Sequence, residues 1–483
     1  MKKFQSLILF MLFAYSFNAV ANDTIRFTLT YPYYSYHTAI AATNGKQFTI
    51  DWGDGSEIET KTGTGNIEEI SHDYGNGTID YTVTIARITA DCLFLELTFI
   101  GTHLIDLDIR ACKSLESLTC YQTLISSLDL SNNKALTYLD CSMSSINSLD
   151  LSNNTALEVL YCYETSISNL DLSNNKALGS LSCSKTHITS LDLSNNTALT
   201  TLDFSETQIA NLDLSKNQDL TYIGCFRSQI NSLDLSNNTA LETLYCWGSK
   251  ITSLDLRNNT VLVDLVCYTN YLSSLNLSNN TAFKVLFCDE NRLLLSNLYN
   301  IAQTMGNPQY VSLGKQALPF QTIEINEPVD YSDQKEFGGI ATVFTVEKDG
   351  APATLNDYTI LDGIITFKTN GNYKITMTNA AIGYNAEVTA NFIVPLDISE
   401  NMQEQIGIVV YPNPTTGELR IENGKLRIKS VEIYNIVGQK QKMILHSPFS
   451  ILNSIDISHF PVGIYIVKVI TEDGIFVKKI IKK

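Results

Sequence analysis

Between Leu107 and Leu277 apolar and polar residues return with a fixed period. The triplet Leu-Asp-Leu begins at Leu128, Leu149, Leu170, Leu191, Leu212, Leu233 and Leu254, with Leu-Asp-Ile at Leu107 and Leu-Asn-Leu at Leu275, each start 21 residues from the last. One copy places its apolar side chains at Leu149, Leu151, Leu157, Leu160, Cys162 and Ile167. Leu149 and Leu151, like Leu160 and Cys162, sit two apart, the spacing that puts both side chains on one face of a strand. Each copy thus predicts two short strands pointing inward. A lone copy cannot bury six such side chains, whereas copies stacked at the strand spacing of about 4.8 Å share one continuous core. The expected fold class is mainly β, a solenoid of 21-residue turns flanked by small β-sandwich domains.

The flanks carry other patterns. Lys2 and Lys3, an apolar run over residues 7–17, and small residues at Ala19 and Ala21 read as a signal peptide removed before Asn22. The run is about a dozen residues, short of the ~20 a transmembrane helix needs. Residues 22–88 read as strands (IRFTLTY, QFTIDW, IDYTVTIARI), and residues 292–305 have helical spacing suited to covering the end of the solenoid's core. Short strands recur over 316–395, a linker follows over 396–408, and residues 409–483 form a last unit; the solenoid with its caps takes 89–305.

Charge narrows the partners. The chain has 33 Lys+Arg against 50 Asp+Glu, a net −17. Residues 409–483 hold 11 basic and 6 acidic residues, so removing them together with Lys2 and Lys3 leaves 20 basic against 44 acidic, −24, for residues 22–408. Nucleic acid is therefore not an expected partner, since phosphates require a basic face.

The repeat, in the form LxxLxCxxTxIxxLDLSNN, resembles the leucine-rich repeat over roughly residues 94–293. The position after the Cys that is usually Asn is here mostly Ser or Thr (Ser144, Thr165, Thr186, Thr207, Ser228, Ser249), returning to Asn at Asn270 and Asn291. Residues 51–55 (DWGDG) and 72–85 (HDYGNGTIDYTVTI) partly resemble a polycystic-kidney-disease-type β-sandwich, in which Asp51, Asp54 and Asp80 are weak calcium candidates; residues 316–395 look immunoglobulin-like. Tyr411, Pro412, Asn413 and Pro414, then Gly438, Gly463 and Tyr465 within VEIYNIVGQ and FPVGIYIVKV, closely resemble the type IX secretion C-terminal sorting domain. That resemblance implies a Bacteroidetes-like bacterium, the type IX secretion machinery as a partner, and a product that is secreted or attached to the outer surface.

Ten Cys in an exported chain would ordinarily suggest disulfides. Eight occupy one repeat position (Cys120, Cys141, Cys162, Cys183, Cys225, Cys246, Cys267, Cys288), and the remaining copy has Phe204 there, so the position calls for an apolar filler. Cys92 and Cys112, near the open N-terminal end, are candidates for a capping disulfide. The Asp column from Asp108 to Asp255 reads as a solvated edge that discourages strand pairing with other chains, a cation stripe being the alternative.

Candidate chemistry lies where copies differ. Three outward positions flank the inward Leu and Cys of each turn, and ten of these 27 are aromatic: Tyr121, Tyr138, Tyr161, Tyr163, Tyr222, Phe226, Tyr245, Trp247, Tyr268 and Phe287. At the chain average of 10% about three would be expected. Exposed Tyr, Trp and Phe are enriched at binding hot spots, and such solenoids usually present this sheet as a concave face. The expectation is a surface or secreted recognition protein that binds a protein ligand there. A carbohydrate-binding face and a passive surface protein are the alternatives. No catalytic residues, cofactor or metal are expected: the six His are scattered, no hydrolase or phosphate-loop motif occurs, and a glycosidase pair among Asp140, Asp203 and Asp264 would lack a deep cleft.

Overall fold

The computed structural model describes residues 24–76, 79–101, 103–306, 308–395, 409–422, 428–435, 439–445, 455–471 and 475–483. The signal segment 1–21, the linker 396–408 and Gly438 of the sorting motif lie outside them.

Nine copies of the repeat each contribute one strand, from Ser117–Tyr121 through Tyr138–Asp140 and Val159–Tyr161 to Val285–Phe287. Neighbouring strands are parallel and in register, so that Leu139 faces Leu160, Leu160 faces Leu181 and Leu181 faces Leu202. A shift of 21 residues thus maps every turn onto the next, the arrangement of a leucine-rich repeat solenoid. The leucines and the cysteine ladder are fully buried, as is Phe204 in the Cys position. Burial pushes the ladder thiols well above their ordinary range, which keeps them neutral fillers. Cys92 and Cys112 are also buried thiols, and no disulfide joins them.

The second expected strand forms in the first copy, within Leu104–Asp108, but not in the turns that follow. The Leu-Asp-Leu segments from Leu128 onward pair only through the isolated bridges Ser232↔Ser253 and Asp255↔Asn276. An amide ladder takes over this role. Asn154 Nδ2 donates to Leu130 O (3.2 Å) and Asn133 O (2.8 Å) of the preceding turn, and Asn175 repeats the pattern with Leu151 O and Asn154 O. With those carbonyls engaged by side chains, backbone pairing is not needed to tie the turns together.

The sheet also runs through the boundary expected near residue 88. Phe94–Ile100 joins the first repeat strand in parallel and then pairs antiparallel with Tyr33–Ala42, which pairs with Ile67–Asn76. Facing it is a five-stranded sheet in the order Glu59–Thr62, Gln47–Asp51, Tyr81–Arg87, Thr24–Leu29, Leu104–Asp108. Leu104–Asp108 contains the start of the first repeat copy, so both N-terminal sheets run into the solenoid and cover its first turn.

At the other end the helix Leu295–Thr304 buries Leu295, Leu298 and Ile301, and Tyr310–Ser312 adds a last parallel strand. Residues 315–394 form a six-stranded, a three-stranded and a two-stranded sheet, and their core is continuous with that of the solenoid. The C-terminal unit has a core of its own around Leu419, Ile433, Val467 and Ile480.

Candidate functional site

Each repeat strand buries its central leucine, Ile223 in the strand Tyr222–Gly224, and leaves the residue on either side half-buried on the outward face, apart from the buried Gly224. All ten predicted aromatic residues lie in such half-buried positions or in the matching position just after the strand. They do not form one continuous patch. Tyr138 and Tyr161 meet edge to face at 6.0 Å, and Tyr121 and Tyr163 approach to 6.4 Å across the intervening turn. Two turns of small polar residues follow (Ser180, Ser182, Ser184, then Thr201, Asp203, Ser205), and the aromatics resume at Tyr222.

The second group is the more ordered. Phe226, Trp247 and Tyr268 stack as parallel rings, with centroids 4.8 Å apart at an interplanar angle of 2° and then 5.2 Å apart at 11°. These separations follow the rise of the sheet, about 4.8 Å per strand, so the repeat itself sets the ring spacing. Arg227 places its guanidinium 4.6 Å from the Trp247 ring centroid. Beside the stack, Tyr222 and Tyr245 pack edge to face at 5.8 Å. Burial, then the neighbouring Asp203 carboxylate, push the Tyr222 hydroxyl up to about 12, so it is a hydrogen-bond donor at neutral pH. Phe287 lies on the last repeat strand.

Two of the three carboxylates weighed as catalytic candidates, Asp140 and Asp203, have local roles. Asp140 Oδ1 accepts from Ser142 N at 2.9 Å and Asp203 Oδ1 accepts from Ser205 N at 3.0 Å. The Asp column does the same on the opposite side of each turn, Asp150 Oδ1 accepting from Ser152 N and Asp192 Oδ1 from Ser194 N. Among the calcium candidates, Asp51 caps the turn at Gly53, while Asp54 accepts from Ser56 N and pairs with His72 Nε2 at 2.7 Å. Among the described residues no three ligating side chains gather into a metal-binding group.

One feature gave no sequence signal. The residue following each outward triplet has a left-handed backbone: Gln122, Met143, Glu164, Lys185, Glu206, Arg227, Thr269 and Glu290 have φ between 51° and 58°, and only Gly248 is a glycine. This turn aims Arg227 back across the ring stack.

In the C-terminal unit Asn413 explains why the sorting motif spans the whole segment. Its Nδ2 donates to Lys479 O at 3.0 Å and its Oδ1 accepts from Ile481 N at 2.8 Å, fastening the Pro412 and Pro414 turn to the final strand. Tyr465 is buried and donates to Pro461 O at 2.8 Å just ahead of Gly463, which opens its strand opposite Lys482. Tyr411 lies on the strand Val409–Tyr411.

Residues 409–483 match the family described as the secretion system C-terminal sorting domain. Among solved structures, the functional domain of InlJ from Listeria monocytogenes, described as including a cysteine ladder, is 22% identical, with 62% of this chain and 81% of that one covered and a TM-score of 0.39. A leucine-rich repeat protein from Leptospira interrogans is 15% identical, with 42% and 68% covered and a TM-score of 0.33. The leucine-rich repeat domain of APL1B is 14% identical, with 54% and 82% covered and a TM-score of 0.35. No curated protein matches the chain. The chain is a leucine-rich repeat solenoid carrying a type IX sorting domain, which directs it to the cell surface or the medium. No helix among the described residues is long and apolar enough to cross a membrane.

Proposed function

We propose that this exported protein is an adhesin-like recognition protein and that the outward face of its repeat sheet binds a protein ligand. The observation that carries the reading is the stack of Phe226, Trp247 and Tyr268. Stacking covers ring faces and leaves ring edges toward solvent, so the group offers a ridge of polarised C–H edges beside the donor hydroxyl of Tyr222. A ridge of this kind suits insertion among side chains of a partner protein, where Trp and Tyr dominate binding energy. The carbohydrate alternative is less well served, because a sugar stacks on an open ring face and Trp247 has a neighbour against each side. The two-turn gap at Ser180 to Ser205 would accommodate a protrusion of the partner between the two aromatic groups.

The test compares the parent protein with a Phe226→Ala/Trp247→Ala/Tyr268→Ala variant on arrays of purified extracellular-matrix proteins and of glycans. The expected result is binding to one or more proteins, lost by at least tenfold in a variant whose melting temperature is close to the parent's. Binding confined to glycans would favour the carbohydrate reading, and no difference between the two proteins would move recognition off this face.

A further inference from the structure

The strongly acidic passenger gathers a group of cations beside the aromatic stack, at the end of the repeats. Where the last repeats meet the sheet that follows, an open cleft of about 840 Å³ is lined by Arg227, Lys250, Arg292 and Lys315. Glu290 is the only acidic side chain in the lining, and its carboxylate accepts from Thr269 Oγ1 at 2.6 Å. None of the four cations has a carboxylate partner among the ion pairs of the described residues. Instead Arg227 and Arg292 lie over Trp247 and Tyr271, at 4.6 and 4.4 Å, and Lys250 Nζ donates to Gln229 Oε1 at 2.8 Å. The cleft therefore gathers four positive charges against the single carboxylate of Glu290, inside a passenger whose net charge is −24.

The structure assigns this cleft as a binding site for an anionic oligosaccharide. Unpaired guanidinium and ammonium groups that converge on one concavity favour carboxylates or sulfates, and the volume falls within the range of about 300–1,000 Å³ usual for ligand sites. Two aromatic side chains in the lining are exposed, Tyr271 at 45% and Phe320 at 52%, which gives the C–H face of a sugar ring a surface to lie on. An extended acidic peptide fits less well, because strand addition requires an open backbone edge. Here Lys315 O and Ala317 N are already bonded to Glu290 N and Asn291 O at 2.7 and 2.8 Å. The buried polar side chains of the floor are committed as well: Asn270 and Asn291 bridge to backbone carbonyls, and Gln316 bonds four backbone groups. Recognition accordingly falls to the exposed cations and rings.

Calorimetric titration of the full-length protein tests the assignment with four probes: a heparin-derived tetrasaccharide, tetragalacturonate, neutral maltotetraose and a hexaglutamate peptide. At least one of the two anionic sugars should bind, more weakly as salt rises, while maltotetraose should not, and the tighter of the pair identifies sulfate or carboxylate as the preferred anion. Lys250→Ala/Arg292→Ala should weaken that binding at least tenfold, and Lys250→Arg/Arg292→Lys should keep it within about threefold. Lys134→Ala/Lys176→Ala, two exposed lysines elsewhere on the solenoid, should leave it unchanged. The assignment is overturned if neither anionic sugar binds, if hexaglutamate binds as tightly, if the double alanine variant at the cleft binds undiminished, or if the distant lysine variant weakens binding equally.

Discussion

The two corners of each solenoid turn follow opposite rules. At the corner after Leu-Asp-Leu the eight copies from Leu128 to Leu275 keep the same solution: an Asp or Asn whose oxygen accepts from the backbone two residues on, then an Asn buried to within 1% and bonded to two carbonyls of the previous turn. At the corner after the strand the buried side chain is Ser, Thr or Asn, and its neighbours range from Glu164 to Arg227 to Gly248. Thr165 Oγ1 donates only to Cys162 O of its own turn, whereas Asn270 spans two turns, donating to Cys246 O and Cys267 O and accepting from Ile251 N. The difference has a physical origin. The first corner has no backbone ladder and relies on side chains to hold the stack, so its identity is constrained; the second inherits its spacing from the sheet and is free to vary. Both the ring stack and the basic cleft occur at or beside this second corner.

Substitutions can break that contrast, beginning with the core that both corners share. Leu181→Ala removes a fully buried side chain from the middle of the stack and is expected to cost about 2–5 kcal/mol, whereas Ser182→Ala, on the outward face of the same strand, should stay within about 0.5 kcal/mol; urea unfolding measures both. Asn196→Ala at the constrained corner removes donors to Leu172 O and Asn175 O and should cost about 2 kcal/mol. At the variable corner Thr186→Ala removes one bond within its own turn, to Cys183 O, and should cost about 1 kcal/mol. An equal cost at the two corners would remove the distinction.

One stability change should have the opposite sign. Glu206 adopts φ 56° at the variable corner, a conformation that favours glycine, so Glu206→Gly is expected to stabilise by about 0.5–1 kcal/mol in the same assay. Acid should act selectively on the other corner. Hydrogen bonds from Ser152, Ser173, Ser194 and Ser215 hold Asp150, Asp171, Asp192 and Asp213 below the ordinary carboxylate range. A lowered native value contributes stability that is present above the unfolded value and lost as pH falls through the native one. The melting temperature should therefore drop below about pH 4, and Asp192→Asn should reduce that drop while keeping the turn, because Asn276 already makes the same bond to Ser278 N at 3.0 Å.

Much of this was legible in the sequence because stacking imposes its period on the residues. The inward Leu and Cys positions, the role of Phe204 and the outward aromatic positions all follow from the 21-residue spacing. The missing second strand was not legible, since Leu-Asp-Leu spacing is the same whether the backbone or the Asn154 side chain bridges the turns. Continuity with the N-terminal sheets depends on pairing between Tyr33–Ala42 and Phe94–Ile100, partners far apart in sequence. The left-handed corner left no mark because eight of its nine residues are not glycine. The basic cleft joins residues from Arg227 to Lys315, and no local window contains it.

The central claim is that the constrained corner carries stability and the outward face carries recognition. It is tested most directly by measuring melting temperature and ligand affinity together for two single variants, Asn196→Ala and Trp247→Ala, against the protein ligand found on the arrays. The account predicts that Asn196→Ala melts several degrees lower yet binds as the parent does below its transition, while Trp247→Ala melts within about two degrees of the parent and loses at least tenfold in affinity. A Trp247→Ala protein that binds normally, or an Asn196→Ala protein that loses affinity while fully folded, would contradict it.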